Sequence, residues 1–467
     1  MSRLIVVSNR VSSPKSGAAQ GGLAVALSAA LREYSGFWFG WSGEECEEYS
    51  GQVRMEEHGG VKTVTIDLHP QDIEEYYNGY ANRTLWPLFH FRIDLAEYNR
   101  SFGSSYERVN KRFADMLSPM LERDDFIWVH DYHLIPLGWD LRRRGHKNRI
   151  GFFLHTPWPP TRLLVSLPHH QRLVQSLFAY DVVGFHTEEW LESFRHYCEK
   201  EMGGTIDGDK ITVGGRTITV LACPIGIDYD EFVEAAGGEN AQMAYDRMRA
   251  SLQDRKLLVG VDRLDYSKGL EERFDSYEQY LRTYPDQHRN VVMVQIAPPS
   301  RSDVDTYQNI RATLDAQTGR INGAFAHVDW TPIRYVNQGY PRDELAGIFR
   351  AAQVGLVTPL RDGMNLVAKE YVAAQDPEDP GVLILSRFAG AAHQLTEALL
   401  VNPYAHEEVA DAIQTALDMP LVERKRRWKA LMKNVSDEDV LWWREKFVEV
   451  LMDDSVKSKS TLPETVD

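Results

Sequence analysis

The chain has 467 residues and a formal charge of −16, with 43% hydrophobic and 11% aromatic residues. The length exceeds what one core sustains and implies at least two domains, and the apolar content excludes a disordered chain. The acidic balance argues against a general nucleic-acid coat, but it leaves anionic small substrates open, because local Arg and Lys can hold a phosphate.

Cys46, Cys198 and Cys223 are odd in number, far apart and without a C-x-x-C pair. That speaks against a disulfide framework or a zinc ribbon. The first apolar run, Leu4-Ile5-Val6-Val7, is too short for a signal-peptide core, and no run approaches the roughly 18 residues of a membrane span. The expected setting is cytosolic.

Short Val-, Ile- and Leu-rich runs alternate with amphipathic stretches, the pattern of parallel sheets covered by helices. The first expected strand, 4–7, ends in Ser8-Asn9-Arg10. A loop then leads to Gly21-Gly22 and an expected helix over 23–31. Such a glycine pair is more often only a turn, but it also allows close approach of a pyrophosphate to a helix start. The run 61–66 is interrupted by Lys62, Thr63 and Thr65 and reads as an edge or half-exposed strand. Strand 126–129 runs into His130-Asp131-Tyr132-His133. Successive side chains there point to opposite faces, so the three potential metal ligands are not expected to converge, and Asp131 is read as a hydroxyl acceptor. Strand 150–154 runs into His155-Thr156-Pro157-Trp158-Pro159-Pro160, a rigid exit that leaves His155 as either a structural residue or a ligand contact. Strands 182–185 and 218–221 complete the series.

The alternation pauses between Pro224 and Arg255. The expected organisation is α/β: two doubly wound Rossmann-like domains, 1–227 and 228–437, facing across a cleft. The helix 438–455 returns to the first domain, and 456–467 forms a tail. In the second domain, strand 257–261 opens onto Asp262-Arg263-Leu264-Asp265-Tyr266-Ser267-Lys268-Gly269. Arg263 and Lys268 suit a pyrophosphate, or else a salt bridge to Asp262 or Asp265. Strand 291–296 is followed by Arg301. Strand 354–357 leads to Arg361-Asp362-Gly363-Met364-Asn365-Leu366-Val367-Ala368-Lys369-Glu370, with free amides between two carboxylates. Strands 382–385 and 399–401 follow.

These motifs, with Phe39-Gly40-Trp41-Ser42-Gly43, Tyr76-Tyr77-Asn78 and Leu85-Trp86-Pro87, resemble the α,α-trehalose-phosphate synthases. That family comprises retaining nucleotide-sugar glycosyltransferases of GT-B architecture, and the resemblance covers about residues 1–455. It implies that Arg10, Tyr77 and Arg301 clamp the phosphate of glucose 6-phosphate beside Trp41, and that Asp131 binds the acceptor sugar. Trp86 and Thr156 stand where the family sets anomeric selectivity, Thr156 replacing an aliphatic residue. Gly22 and Leu23 approach the donor pyrophosphate, Arg263 and Lys268 hold it, and His155 and Asp362 touch the transferred glucose. Gly363, Met364, Asn365, Leu366, Val367 and Glu370 bind the nucleotide, with Tyr340 near its base.

The implied reaction joins UDP-glucose and glucose 6-phosphate to give α,α-trehalose 6-phosphate and UDP, with no metal or other cofactor. A leaving phosphate oxygen takes the acceptor proton, so no side chain serves as nucleophile. The triplets Asp207-x-Asp209, Asp228-x-Asp230 and Asp303-x-Asp305 read as structural. Another phosphorylated acceptor such as glycerol 3-phosphate, or a non-catalytic regulatory paralogue, are the competing readings. The expected partners are the two substrates, with neither nucleic acid nor membrane, and self-association stays open.

Overall fold

The structure is a computed structural model and describes residues 3–11, 27, 31, 34–49, 51–299, 305–453 and 456. It divides into two units, Met1–Ile225 with Leu441–Asp467, and Gly226–Val440.

Among the described residues, ten strands of the first unit form one sheet. They are β1 (Leu4–Arg10), β2 (Phe37–Glu45), β3 (Arg54–His58), β4 (Val61–Leu68), β5 (Phe126–His130), β6 (Arg149–Phe153), β7 (Val182–Phe185), β8 (Thr205–Asp207), β9 (Lys210–Val213) and β10 (Arg216–Ala222). Their order is β3-β4-β2-β1-β5-β6-β7-β10-β9-β8. The central strands pair in parallel and are buried on both faces, as their unbroken apolar runs require. Antiparallel β3 and the β8–β9 hairpin finish the two edges.

Strand β4 is half-exposed, with Lys62 out and Val61, Thr63 and Val64 in, but it is not the edge. Antiparallel β3 pairs along its outer side and carries the exposed row Arg54, Met55, Glu56 and Glu57. Charged side chains on that row blunt the true edge. The returning helix Val440–Met452 packs Trp443 and Phe447 on Trp128 of β5, with ring centroids 4.9 and 4.7 Å apart.

The second unit holds an all-parallel sheet of β11 (Lys256–Val261), β12 (Val291–Ile296), β13 (Ile333–Val336), β14 (Val354–Val357), β15 (Val382–Ser386) and β16 (Leu399–Val401). Its order is β13-β12-β11-β14-β15-β16. Strand order reverses between β1 and β5 in one sheet and between β11 and β14 in the other. In doubly wound sheets ligands sit beyond the carboxyl ends of such neighbouring strands. No helix among the described residues is long and apolar enough to cross a membrane.

Candidate active site

In the first unit, β1 delivers Ser8-Asn9-Arg10 to the switch point. Ser8 and Asn9 are structural. The Trp38 indole donates to Ser8 Oγ at 2.7 Å, and the Tyr76 hydroxyl donates to Asn9 Oδ1 at 2.7 Å. Tyr76 and Tyr77 lie on a π-helical segment, Ile73–Leu85, so the Asn9 contact ties that segment to the strand end. Arg10 emerges past the sheet. It is exposed, because it is the last residue of β1 and its side chain projects beyond the strands. Its guanidinium lies over the Trp41 ring, 5.6 Å from the centroid. Gly43, at φ 91°, leaves room for that guanidinium, which any Cβ there would strike.

Trp41 meets Tyr77 edge to face at 5.5 Å, and Tyr77 stacks on His133 at 6.0 Å. Tyr132 touches both His133 and Trp86, at 3.9 and 5.7 Å. Arg10, Trp41, Tyr77 and Trp86 thus lie along one continuous aromatic wall.

Asp131 follows β5 in left-handed backbone, at φ 74°, an uncommon state for a non-glycine residue that turns the chain sharply at the strand end. Its Oδ1 accepts the His155 amide at 3.2 Å, joining the ends of β5 and β6. The His155 imidazole meets that of His130, Nε2 to Nδ1, at 3.1 Å. Burial holds the His155 pKa down at about 3, and burial together with His155 pushes His130 well below its ordinary value. Both rings are therefore neutral at physiological pH. Thr156 is 4% exposed, and its hydroxyl has no hydrogen-bond partner among the described residues.

In the second unit, Lys268 ends a short turn that Asp265 caps by accepting Ser267 N–H at 2.9 Å. Gly269, at φ 62°, closes that turn against Thr358 and Leu360. Neither nearby aspartate is the partner of Lys268. Asp262 is taken by buried Arg273 at 2.6 Å, and Asp265 also accepts the Tyr307 hydroxyl at 3.1 Å. Lys268 Nζ instead donates to Asp362 Oδ2 at 2.5 Å, bridging the ends of β11 and β14. Arg263 stands exposed at the end of β11.

Asp362, Gly363 and Met364 form a loop pinned by Gly390 N–H to Asp362 O and Ala391 N–H to Met364 O, at 3.1 and 2.8 Å. Asn365 donates from Nδ2 to Asp362 Oδ2 at 3.0 Å and takes left-handed backbone, at φ 77°. The helix Leu366–Ala373 begins there with no side-chain cap. Its first-turn amides, from Leu366 and Val367 onward, lack intrahelical acceptors and form an anion-binding end. One turn on, burial raises the Glu370 carboxyl to about 7, with Arg342 at 4.0 Å opposing that rise. Tyr340 is half-buried, and its hydroxyl accepts from Gln338 at 3.0 Å.

Gly22, Leu23 and Arg301 lie outside the described residues, as do the helix expected at 23–31 (apart from residues 27 and 31), Asp303 of one acidic triplet, and most of the tail. Asp207 closes the exposed β8 strand, and Asp228 caps the helix Tyr229–Gly237. Among the described residues, no group of three or more His, Cys, Asp or Glu side chains could hold a metal.

One residue at the site escapes sequence reasoning. Arg342 opens a helix, where a cation opposes the dipole, yet its guanidinium lies over Phe232 and near Glu370. An arginine at a helix start directly after Tyr340-Pro341 is the signal. His130, which the sequence offers only as one of three potential metal ligands, is instead the last residue of a buried strand, set against His155.

Two doubly wound α/β units, with arginine, lysine and helix-start amides at the carboxyl ends of their strands, define the class of nucleotide-sugar glycosyltransferases with paired Rossmann-like domains. Residues 4–453 match the family described as glycosyltransferase family 20. A trehalose-6-phosphate synthase of Sinorhizobium fredii is 48% identical over 453 residues, 96% of this chain and 98% of that protein. An α,α-trehalose-phosphate synthase (UDP-forming) of Burkholderia xenovorans, solved in complex with glucose-6-phosphate, superposes with a TM-score of 0.93. It is 49% identical, covering 97% of this chain and all of that one. A structure from Escherichia coli bound with UDP-2-fluoro glucose gives 0.93 at 45% identity, covering 96% and 99%. The chain belongs to glycosyltransferase family 20 and is a glycosyltransferase.

Proposed function

We infer that this glycosyltransferase transfers glucose from UDP-glucose to glucose 6-phosphate, giving α,α-trehalose 6-phosphate and UDP with retention at the anomeric carbon. The observation that carries the reading is the Lys268–Asp362 pair beside the uncapped helix start at Leu366. A cation and free backbone amides suit the charge that gathers on a leaving diphosphate, and the carboxylate can accept a sugar hydroxyl. The names and ligands of the relatives support the same substrates.

Breaking the glycosidic bond leaves an oxocarbenium-like glucose, and negative charge builds on UDP. Lys268, Arg263 and the first-turn amides, with Gly22 and Leu23, stabilise that charge. Asp362 and His155 orient the transferred glucose. Met364, Asn365, Leu366 and Val367 line the nucleotide, Glu370 accepts from the ribose, and Tyr340 lies against the base. Arg10, Tyr77 and Arg301 hold the acceptor phosphate over Trp41. Asp131 receives an acceptor hydroxyl, while Trp86 and Thr156 set the face presented for attack. The departing phosphate oxygen takes the acceptor proton, so the new bond forms on the face the diphosphate leaves. Positive groups already serve the leaving diphosphate, and the reaction runs without a metal. The setting is cytosolic, in keeping with three free cysteines.

A UDP-release assay over a panel of sugar nucleotides and phosphorylated acceptors tests this reading. UDP-glucose with glucose 6-phosphate is the expected best pair. Faster turnover with glycerol 3-phosphate would overturn the acceptor.

A further inference from the structure

His130 is fully buried at the end of β5, and its Nδ1 faces His155 Nε2 at 3.1 Å. Two neutral imidazoles share one proton in such a contact, so one ring must donate and the other accept. The far side of His130 decides which. Among the described residues, His130 Nε2 is buried without a hydrogen-bond partner. Around the ring stand Trp128 and Trp443, with centroids 4.6 and 6.2 Å away. Their indole N–H groups are also buried without partners among the described residues.

An indole nitrogen is only ever a donor. If His130 carried its proton on Nε2, the pocket would hold a third unpaired donor. If Nε2 is a bare lone pair, the pocket holds an acceptor among surplus donors. Orphaned buried N–H groups are the rarer and costlier case. The proton therefore belongs on His130 Nδ1, between the two rings.

We propose that His130 is a positioning residue: its Nδ1–H donates to Nε2 of His155, which keeps the His155 proton on Nδ1 and fixes that imidazole as a donor toward a substrate hydroxyl. The proposal rests on the reading of His155 as a contact to the transferred glucose. The second anchor of His155 is its own amide, held by Asp131 Oδ1, so ring and backbone are fixed independently. The tautomer of a histidine is set by the bond its other nitrogen makes. Here that bond comes from a group with no solvent contact and no other chemical task.

The test is a long-range proton–nitrogen correlation spectrum of the protein labelled with ¹⁵N-histidine, with His155 assigned by its loss in His155→Ala. The expected wild-type spectrum shows His155 protonated on Nδ1 and bare on Nε2. In His130→Leu the Nδ1 preference is lost and kcat falls about tenfold, with the KM for glucose 6-phosphate unchanged. In His130→Asn the side-chain amide N–H replaces the Nδ1–H donor, and both the tautomer and most of kcat return. A wild-type His155 protonated on Nε2, or an Nδ1–H tautomer that persists in His130→Leu, overturns the proposal. If the Leu variant does not fold, the wild-type spectrum and the Asn variant decide alone. Unchanged turnover in His155→Ala would instead overturn the glucose-contact reading, while the tautomer result still decides the role of His130.

Discussion

Lys268 and Asp362 form an ion pair at 2.5 Å between the carboxyl ends of β11 and β14, 94 residues apart in sequence. Both side chains are largely buried, at 12% and 13% exposure. The pair therefore orients the ammonium before a diphosphate arrives. Replacing Lys268 by Ala is expected to lower kcat for UDP release by about 10²–10³. Turnover within twofold of wild type would remove Lys268 from the leaving-group role.

Arg10 reaches outward over Trp41 from an exposed position, where it is proposed to meet the acceptor phosphate. For Arg10→Ala, the KM for glucose 6-phosphate is expected to rise about 10- to 100-fold, the scale of a charge-assisted hydrogen bond, with a smaller change for UDP-glucose. Initial-rate kinetics with each substrate varied in turn separate the two. Equal changes in both constants would place Arg10 elsewhere.

The Thr156 hydroxyl is buried and has no hydrogen-bond partner among the described residues. An unpaired buried hydroxyl costs about 1 kcal/mol or more, so Thr156→Val is expected to raise the melting temperature of the free protein by a few degrees. The same change removes the polar group proposed to lie beside the acceptor and should weaken glucose 6-phosphate binding. Thermal melts with and without that sugar phosphate read both effects. A lower melting temperature in the free protein would show that the hydroxyl is satisfied there.

Glu370 titrates at about 7 because burial disfavours its charge and Arg342 only partly restores it. The folded pKa lies above the unfolded one, so between about 4.5 and 7 the folded state binds more protons than the unfolded state. This group's contribution to stability therefore falls as pH rises through that window. The ribose contact proposed for Glu370 runs the other way, since the carboxylate is the better acceptor. The affinity for UDP should rise as pH passes through about 7 and lose that dependence in Glu370→Gln. Calorimetric titration of UDP between pH 5.5 and 8.5 checks it. A pH dependence that survives in Glu370→Gln would assign it to another group.

Chelation gives a further expectation. With Lys268, Arg263 and the helix-start amides serving the diphosphate, activity should persist in EDTA. Complete loss, restored by Mn²⁺, would reverse this.

Much of the fold is legible because buried parallel strands leave unbroken apolar runs. Val291–Ile296, Val354–Val357 and Leu399–Val401 begin and end where those runs do. Strand β2 is not marked this way, since Gly40 interrupts its run and aromatic residues replace the branched aliphatics. The segment Ile73–Leu85 carries little local signal for a π-helix, and its place depends on Tyr76 reaching Asn9 across the fold. Within the site, residues directly after strands can be read from order alone. The choice of Asp362 over Asp262 and Asp265 for Lys268 cannot. It depends on Arg273 taking Asp262 and on Asp265 capping its own turn.

The most direct measurement is proton NMR of the disaccharide formed from UDP-glucose and glucose 6-phosphate as UDP is released. Stoichiometric UDP release with an α,α-linked trehalose 6-phosphate is the expected result. A β-linked product, or no UDP release with glucose 6-phosphate while another acceptor turns over, would contradict it.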